Sequence, residues 1–253
     1  LQILFLGTSS ARASLTRGNS AALLKYGGNG LLIDCGEGVS RALLERSIPL
    51  DAINSVFISH FHADHSAGLP GLITRMKLEG RTIPLNIYLH KNLEESLWQM
   101  LNLFLLFKEN IPFALEICGV EEGHVIDYKP GVSFKCLRNS HLANKYQIGY
   151  VPEERFVSAG FLFSLNNISI LFTSDIEDIK DILCLEEKLD YIITEAAHIP
   201  PEKLLQAFVK YEPEKIIVTH IVDENKIDLW YANLDKKIKK FFIVAFDGME
   251  ILL

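Results

Sequence analysis

The sequence predicts an α/β fold in which sheets carry helices on their outer faces. Short runs rich in β-branched and aromatic residues recur along the chain, and amphipathic helical patterns lie between them. A continuous β-α-β-α alternation is absent, which disfavours a simple doubly wound sheet. With 49% of its 253 residues apolar, the chain can bury a sizeable core. No low-complexity linker or short repeat interrupts it, so residues 1–253 read as one domain.

Strands are expected at Gln2–Leu6, Ala21–Tyr26 and Gly30–Ile33, then a helix at Val39–Arg46. A strand at Ser55–Ser59 is followed by a helix at Leu69–Glu79, a strand at Leu85–Leu89 and a helix at Asn92–Phe107. Strands Ser133–Leu137, Gly160–Leu165 and Ile168–Thr173 come next, the last two joined by the turn signal Asn166-Asn167. Helix Ile176–Leu185, strand Tyr191–Thr194, helix Pro201–Tyr211, strand Lys215–Thr219 and helix Lys226–Lys240 complete the alternation. Phe242–Phe246 and Met249–Leu252 flank a turn at Asp247-Gly248. The helix Asn92–Phe107 carries Leu93, Leu97, Trp98, Leu101, Phe104, Leu105 and Phe107, apolar over more than one face. That pattern suits core packing, a cleft wall or a homodimer contact. The lysines 236, 237, 239 and 240 read as a solvated face.

A net charge of -7 argues against an extended nucleic-acid surface. Cys35, Cys118, Cys136 and Cys184 are widely spaced without a C-x-x-C pair, as expected of buried free thiols in a reducing cytoplasm. The N-terminal run has no basic leader, and no stretch is long and apolar enough to span a bilayer. The expected location is the cytoplasm, with no membrane association.

Residues 59–65 read S-H-F-H-A-D-H at the end of an apolar run. Imidazoles and a carboxylate crowded there would cost desolvation and repulsion unless a cation satisfied them. Other apolar strands also stop near ligand-type residues: 133–137 runs on to His141, 168–173 to Asp175, and 215–219 to His220. If those strand ends share one edge, His60, His62, Asp64, His65, His141, Asp175 and His220 converge. Imidazoles and carboxylates without thiolate suit two divalent transition-metal ions, zinc first, with iron or manganese as alternatives. Such a set exceeds the needs of one four-coordinate ion and fits two that share a carboxylate and keep positions for solvent.

At these residues the chain resembles the metallo-β-lactamase fold, an αββα four-layer sandwich, and most closely its ribonuclease Z-like branch. H-x-H-x-D-H at 60–65, Leu6-Gly7-Thr8, Arg17-Gly18-Asn19-Ser20, Asp34-Cys35-Gly36-Glu37-Gly38 and the run from His65 to Leu72 match its pattern, as do Ser174-Asp175, Glu195-Ala196 and Thr219-His220. The resemblance implies that His60, His62 and His141 hold one metal, and that Asp64, His65 and His220 hold the other. Asp175 would bridge them, and Asp34 would orient a ligand histidine from behind. It implies hydrolysis: diiron redox relatives place Glu at the position of His62, and β-lactam-hydrolysing enzymes place Cys at that of Asp175.

The chain also departs from ribonuclease Z. The long Gly/Pro-rich arm expected between His141 and Asp175 is replaced by a modest segment, 142–159. Thr194 stands where a His is expected, and Ile221-Val222-Asp223-Glu224 replaces the Ser and Arg expected after the last ligand. The expected activity is therefore that of a dinuclear phosphodiesterase acting on a small or short, anionic substrate. Ester, thioester or lactone hydrolysis and tRNA 3′ processing are the alternatives. Asp64 would orient or deprotonate the attacking water, and His198 would serve as the general acid. Tyr146, Tyr150 and Arg155 are expected to grip substrate. His90 and His124 read as surface residues.

Overall fold

The computed structural model describes residues 1–143 and 152–253. Along the chain run β1 (Gln2–Gly7), β2 (Ala21–Tyr26), β3 (Asn29–Ile33), α1 (Val39–Glu45), β4 (Ile53–Ile58), α2 (Ala63–Ser66), α3 (Leu69–Leu78), β5 (Leu85–His90), α4 (Glu94–Leu103) and β6 (Leu115–Val120). There follow β7 (Val125–Lys129), β8 (Val132–Arg138), β9 (Ala159–Leu165), β10 (Ile168–Phe172), α5 (Lys180–Leu183), β11 (Tyr191–Glu195), α6 (Leu204–Tyr211), β12 (Lys215–Thr219), α7 (Glu224–Asn233), α8 (Lys236–Lys239), β13 (Phe242–Val244) and β14 (Glu250–Leu252). The chain forms two compact units, residues 1–120 with 246–253, and residues 121–245.

The first unit is built on a sheet of order β14-β1-β2-β3-β4-β5-β6. β3, β4, β5 and β6 are parallel, and β2 runs against both β1 and β3. β1, β3 and β4 therefore end at the same edge, where Thr8, Asp34 and His60 begin the loops. The interior strands are buried along nearly their whole length, which is why the second half of β4, Val56-Phe57-Ile58, reads as a continuous apolar run instead of an alternating one.

The second unit carries a sheet of order β13-β12-β11-β10-β9-β8-β7. β10 to β13 are parallel; β9 opposes both β10 and β8, so β8 runs with the parallel set. Hence β8, β10, β11 and β12 all deliver their C-terminal ends to one edge. Loops at such ends are where parallel sheets place ligands. Against the other face of these strands Ile192, Ile216, Leu204, Ala207 and Ile182 form the core with Trp230 and Phe242.

Several expected elements shift. β6 and β7 lie at sheet edges and were not anticipated: their half-exposed faces carry Glu116, Asp127 and Lys129, which break the apolar run and protect the edge. The helix expected through Phe107 stops at Leu103, and Leu105 turns left-handed at φ 60°. Leu93, Leu97 and Leu101 are core, whereas Leu103, Phe104 and Leu105 are exposed. The helix expected at Lys226–Lys240 breaks into two because Leu234 is extended and the Asp235 carboxylate caps a new start by accepting from Lys237 N–H at 2.7 Å. The helix expected at Ile176–Leu185 contracts to α5. Among the described residues, no helix is long and apolar enough to cross a membrane.

Candidate metal centre

In the first unit, the loop after β4 turns directly into α2, so His60, His62, Asp64 and His65 fall within one turn of each other. All but His62 are buried. The turn is held by backbone contact with the loop after β3. Cys35 N–H donates to His65 O at 2.7 Å, and Gly68 N–H to Cys35 O at 2.9 Å. A Cβ on Gly68 would lie 2.1 Å from Gly36 O, and one on Gly36 2.3 Å from Asp64 O, so both positions require glycine.

Asp34 is the hub of this half. It sits at φ 57°, a left-handed conformation that Asp tolerates better than most residues. Ser59 N–H donates to its Oδ1 at 2.9 Å, and Ser59 Oγ–H to its Oδ2 at 3.0 Å. His65 Nδ1 lies 2.7 Å from Oδ2 and therefore carries the proton. Ser59 Oγ, having given its proton to Asp34, accepts from His60 Nδ1 at 3.0 Å. One buried carboxylate thus sets the tautomers of two imidazoles, directly for His65 and through a hydroxyl for His60. Each is left with its lone pair on Nε2, the form a metal ligand needs.

In the second unit, β8, β10, β11 and β12 lead to His141, Asp175, His198 and His220. Asp175 is 1% exposed. Its Oδ2 lies 3.6 Å from His141 Nε2, and its Oδ1 lies 3.3 Å from His220 Nε2. Each carboxylate oxygen therefore faces a different imidazole. Asp175, His198 and His220 offer ligand atoms close enough to hold a cation. Ser174 and His220 both take positive φ, 54° and 53°, so two of these strand ends share a strained turn.

The donor chemistry fits transition-metal ions. Two ligand atoms bound to one tetrahedral ion at about 2.0–2.1 Å stand roughly 3.3 Å apart. The separations within the units match that: 3.1 Å for His60 Nε2 to His62 Nδ1, 3.6 Å for His65 Nε2 to Asp64 Oδ2, and 3.3 Å for His220 to Asp175.

Glu195, at the end of β11, is a residue whose role the sequence did not reveal. Its Oε2 accepts from the N–H groups of Ala197 and His198, both at 2.7 Å, and its Oε1 accepts from Ile176 N–H at 3.0 Å. His198 Nδ1 lies 3.1 Å from Oε2, so the carboxylate holds both the backbone and the ring of His198. Ser59 likewise falls at the end of an expected strand, and its place directly before a ligand and after an apolar run is the available signal.

Other expectations change. His90 is buried, and its Nδ1 accepts from Asn92 N–H at 3.2 Å, capping the turn before α4. His124 is exposed. Cys35 and Cys136 are buried, Cys118 partly so, and Cys184 is exposed, which corrects the expectation that all four are buried. Burial, then the charge of Glu122, pushes the Cys136 thiol up to about 12. Arg155 is partly exposed on a short 3-10 turn, Glu153–Arg155. Tyr146 and Tyr150 lie outside the described residues.

Solved structures share this architecture. Human short-form tRNase Z matches 100% of this chain and 99% of its own with a TM-score of 0.76 at 22% identity. The metallo-β-lactamase-fold protein YhfI of Bacillus subtilis matches 99% of this chain and 98% of its own, with a TM-score of 0.74 at 16% identity. The class is therefore the metallo-β-lactamase fold, an α/β fold of two mixed sheets with helices, here with a His/Asp donor set at strand ends. In sequence, the chain is 38% identical over 123 residues to a ribonuclease Z of Gemmatimonas aurantiaca, covering 49% of this chain and 38% of that protein. It is 29% identical over 218 residues to a ribonuclease Z of Methanococcus maripaludis, covering 80% and 65% respectively. The chain thus spans less than two thirds of the length of either relative. The family described as "Anti-Pycsar protein Apyc1" matches residues 1–234, and the chain belongs to that family. The expected likeness to the ribonuclease Z branch holds as well.

Proposed function

We propose that this chain is a metal-dependent hydrolase that cleaves a small or short phosphodiester, with two divalent ions, zinc first, bound by its His and Asp donors. The observation that carries this reading is Asp175, whose two oxygens each face a separate imidazole as a bridging carboxylate's would. His60, His62 and His141 would hold one ion, and Asp64, His65 and His220 the other. The bound ions would polarise a phosphoryl oxygen and make water acidic enough to serve as a nucleophile at neutral pH. Asp64 takes the proton of the attacking water. His198 gives a proton to the leaving oxygen from Nε2, because its Nδ1 is engaged by Glu195. Glu195 keeps the ring in place and stabilises its protonated form.

A small substrate is favoured over a folded RNA by the net charge of -7 and by Ile221-Val222-Asp223-Glu224, which puts two acids after the last ligand. The family's anti-Pycsar description also differs from that of the ribonuclease Z relatives. Those relatives' names support tRNA 3′ processing as a second reading. The test is a panel with zinc-loaded protein: bis-p-nitrophenyl phosphate, a thioester, a lactone and a tRNA precursor with a 3′ trailer. Turnover of the diester alone supports the proposal; efficient trailer removal transfers it to the second reading, and turnover of only the carbonyl substrates refutes it.

A further inference from the structure

We infer that Asp181 is a positioning residue that sets where His141 stands relative to Asp175. The inference rests on the metal-centre reading for what these two ligands hold. His141 lies past the end of β8, on a loop whose N–H groups need partners outside a strand ladder. Asn139 N–H still reaches across to Ser158 O at 2.9 Å. From there side chains take over. His141 N–H donates to Asn139 Oδ1 at 3.2 Å. Ser140 N–H donates to Asp181 Oδ1 at 3.2 Å and Oδ2 at 3.1 Å, and Ser140 Oγ–H donates to Oδ2 at 2.6 Å. The residue directly before the ligand is thus clamped at both its donors by one carboxylate.

The anchors lie on either side of Asp175. Asn139 Nδ2–H donates to Thr173 O at 3.1 Å, before Asp175 in the chain, and Asp181 follows it on α5. The His141 loop is therefore braced twice against the segment that carries the other ligand. Between the braces His141 Nε2 stands 3.6 Å from Asp175 Oδ2, near the separation of two ligands on one ion. The Asp181 end is firm because Ile176, Ile179 and Ile182 bury this stretch in the core of the second unit. Hydrogen bonds to a carboxylate are shorter and stronger than those between neutral groups, and the Ser140 Oγ–H bond is of that kind. Without the clamp, Ser140 loses both partners, and the histidine next to it can leave the position that Asp175 requires.

Zinc affinity, read by competition with a chromogenic chelator, tests the clamp without turnover. Asp181→Ala should weaken zinc binding by about 10–100-fold, the loss typical of a group that orients a metal ligand. Ser140→Ala keeps the carboxylate and its charge but removes one donor, so its loss should be smaller. In the Asp181→Ala background Ser140→Ala should have no further effect, because its partner is already gone. A second readout needs no metal: in the metal-free protein the Ser140 amide should exchange with solvent slowly in the parent and fast in Asp181→Ala. The Ile192 and Ile216 amides of the central strands should stay protected in both, which reports an intact core. Zinc affinity equal to the parent's in Asp181→Ala, or losses that simply add in the double variant, would overturn the inference. Where Asp181→Ala loses the core protection too, Ser140→Ala decides, and parent-like affinity in that variant overturns it. If the parent itself binds no zinc, the metal-centre reading fails, and exchange at Ser140 judges the clamp: protection lost in Asp181→Ala supports it, and protection kept overturns it.

Discussion

Asp34→Asn isolates the tautomer control exerted from behind the site. Asn is nearly isosteric and tolerates the φ of 57° at this position, so the backbone turn is kept. Its carbonyl must face Ser59 N–H, as Oδ1 does now at 2.9 Å, because the flipped amide would set donor against donor. The amide NH₂ then takes the place of Oδ2, 2.7 Å from His65 Nδ1 and 3.0 Å from Ser59 Oγ. His65 must accept there, which moves its proton to Nε2. Ser59 Oγ must also accept, and its own proton turns toward His60 Nδ1, moving that imidazole's proton to Nε2 as well. Both ligand lone pairs are lost together. Loss of a group that orients one metal ligand costs about 10–100-fold in affinity, or about 1.4–2.7 kcal/mol. With two imidazoles affected, zinc affinity should fall by at least the upper end of that range. A competition titration against a chromogenic chelator measures it. Long-range proton–nitrogen NMR of the metal-free protein should show both rings changing from Nδ1–H to Nε2–H. Affinity within about threefold of the parent, with both Nδ1–H tautomers retained, would refute the reasoning.

Further outcomes follow from other residues. Asp175→Ala removes the carboxylate shared by His141 and His220, so elemental analysis should find at most one bound ion per chain against two in the parent; full occupancy would exclude bridging. His198→Ala should lower kcat by roughly 10²–10⁴ on diesters with alkyl leaving groups and far less on nitrophenyl esters, which leave without protonation. Equal losses on both would make His198 a ligand or structural residue. Glu195→Gln removes the charge that holds a protonated His198 and, with its carbonyl kept on the Ala197 and His198 N–H groups, sets its NH₂ against Ile176 N–H, so the alkaline limb of the kcat profile should move to lower pH; an unmoved limb would separate Glu195 from the proton transfer. With an aromatic disulfide reagent near pH 8, Cys184 should react rapidly in the native protein. Cys35 and Cys136 should react only after denaturation, since burial raises both thiols and leaves little thiolate. Prompt native labelling of Cys136 would contradict that placement.

The sequence alone determined the fold class and the donor types. Apolar runs leading to His60, Asp175 and His220 were legible because a buried parallel strand needs a continuous apolar stretch, and a ligand beyond its C-terminal end breaks that stretch; β8, which leads to His141, pairs antiparallel on both sides and alternates instead. Short-range pattern could not determine the edge strands β6 and β7, whose polar faces mimic loops, or the break at Leu234, where a single extended residue ends a helix that the apolar spacing would continue. The geometry behind the donors was also left to tertiary structure. Asp34, Ser59, His60 and His65 form one proton chain only because the loops after β3 and β4 touch backbone to backbone at Gly36 and Gly68. Glu195 holds His198 only because the chain turns sharply after β11. Hydrogen-bond direction depends on ångström-scale placement of groups from separate segments, and residue spacing along the chain carries no record of it.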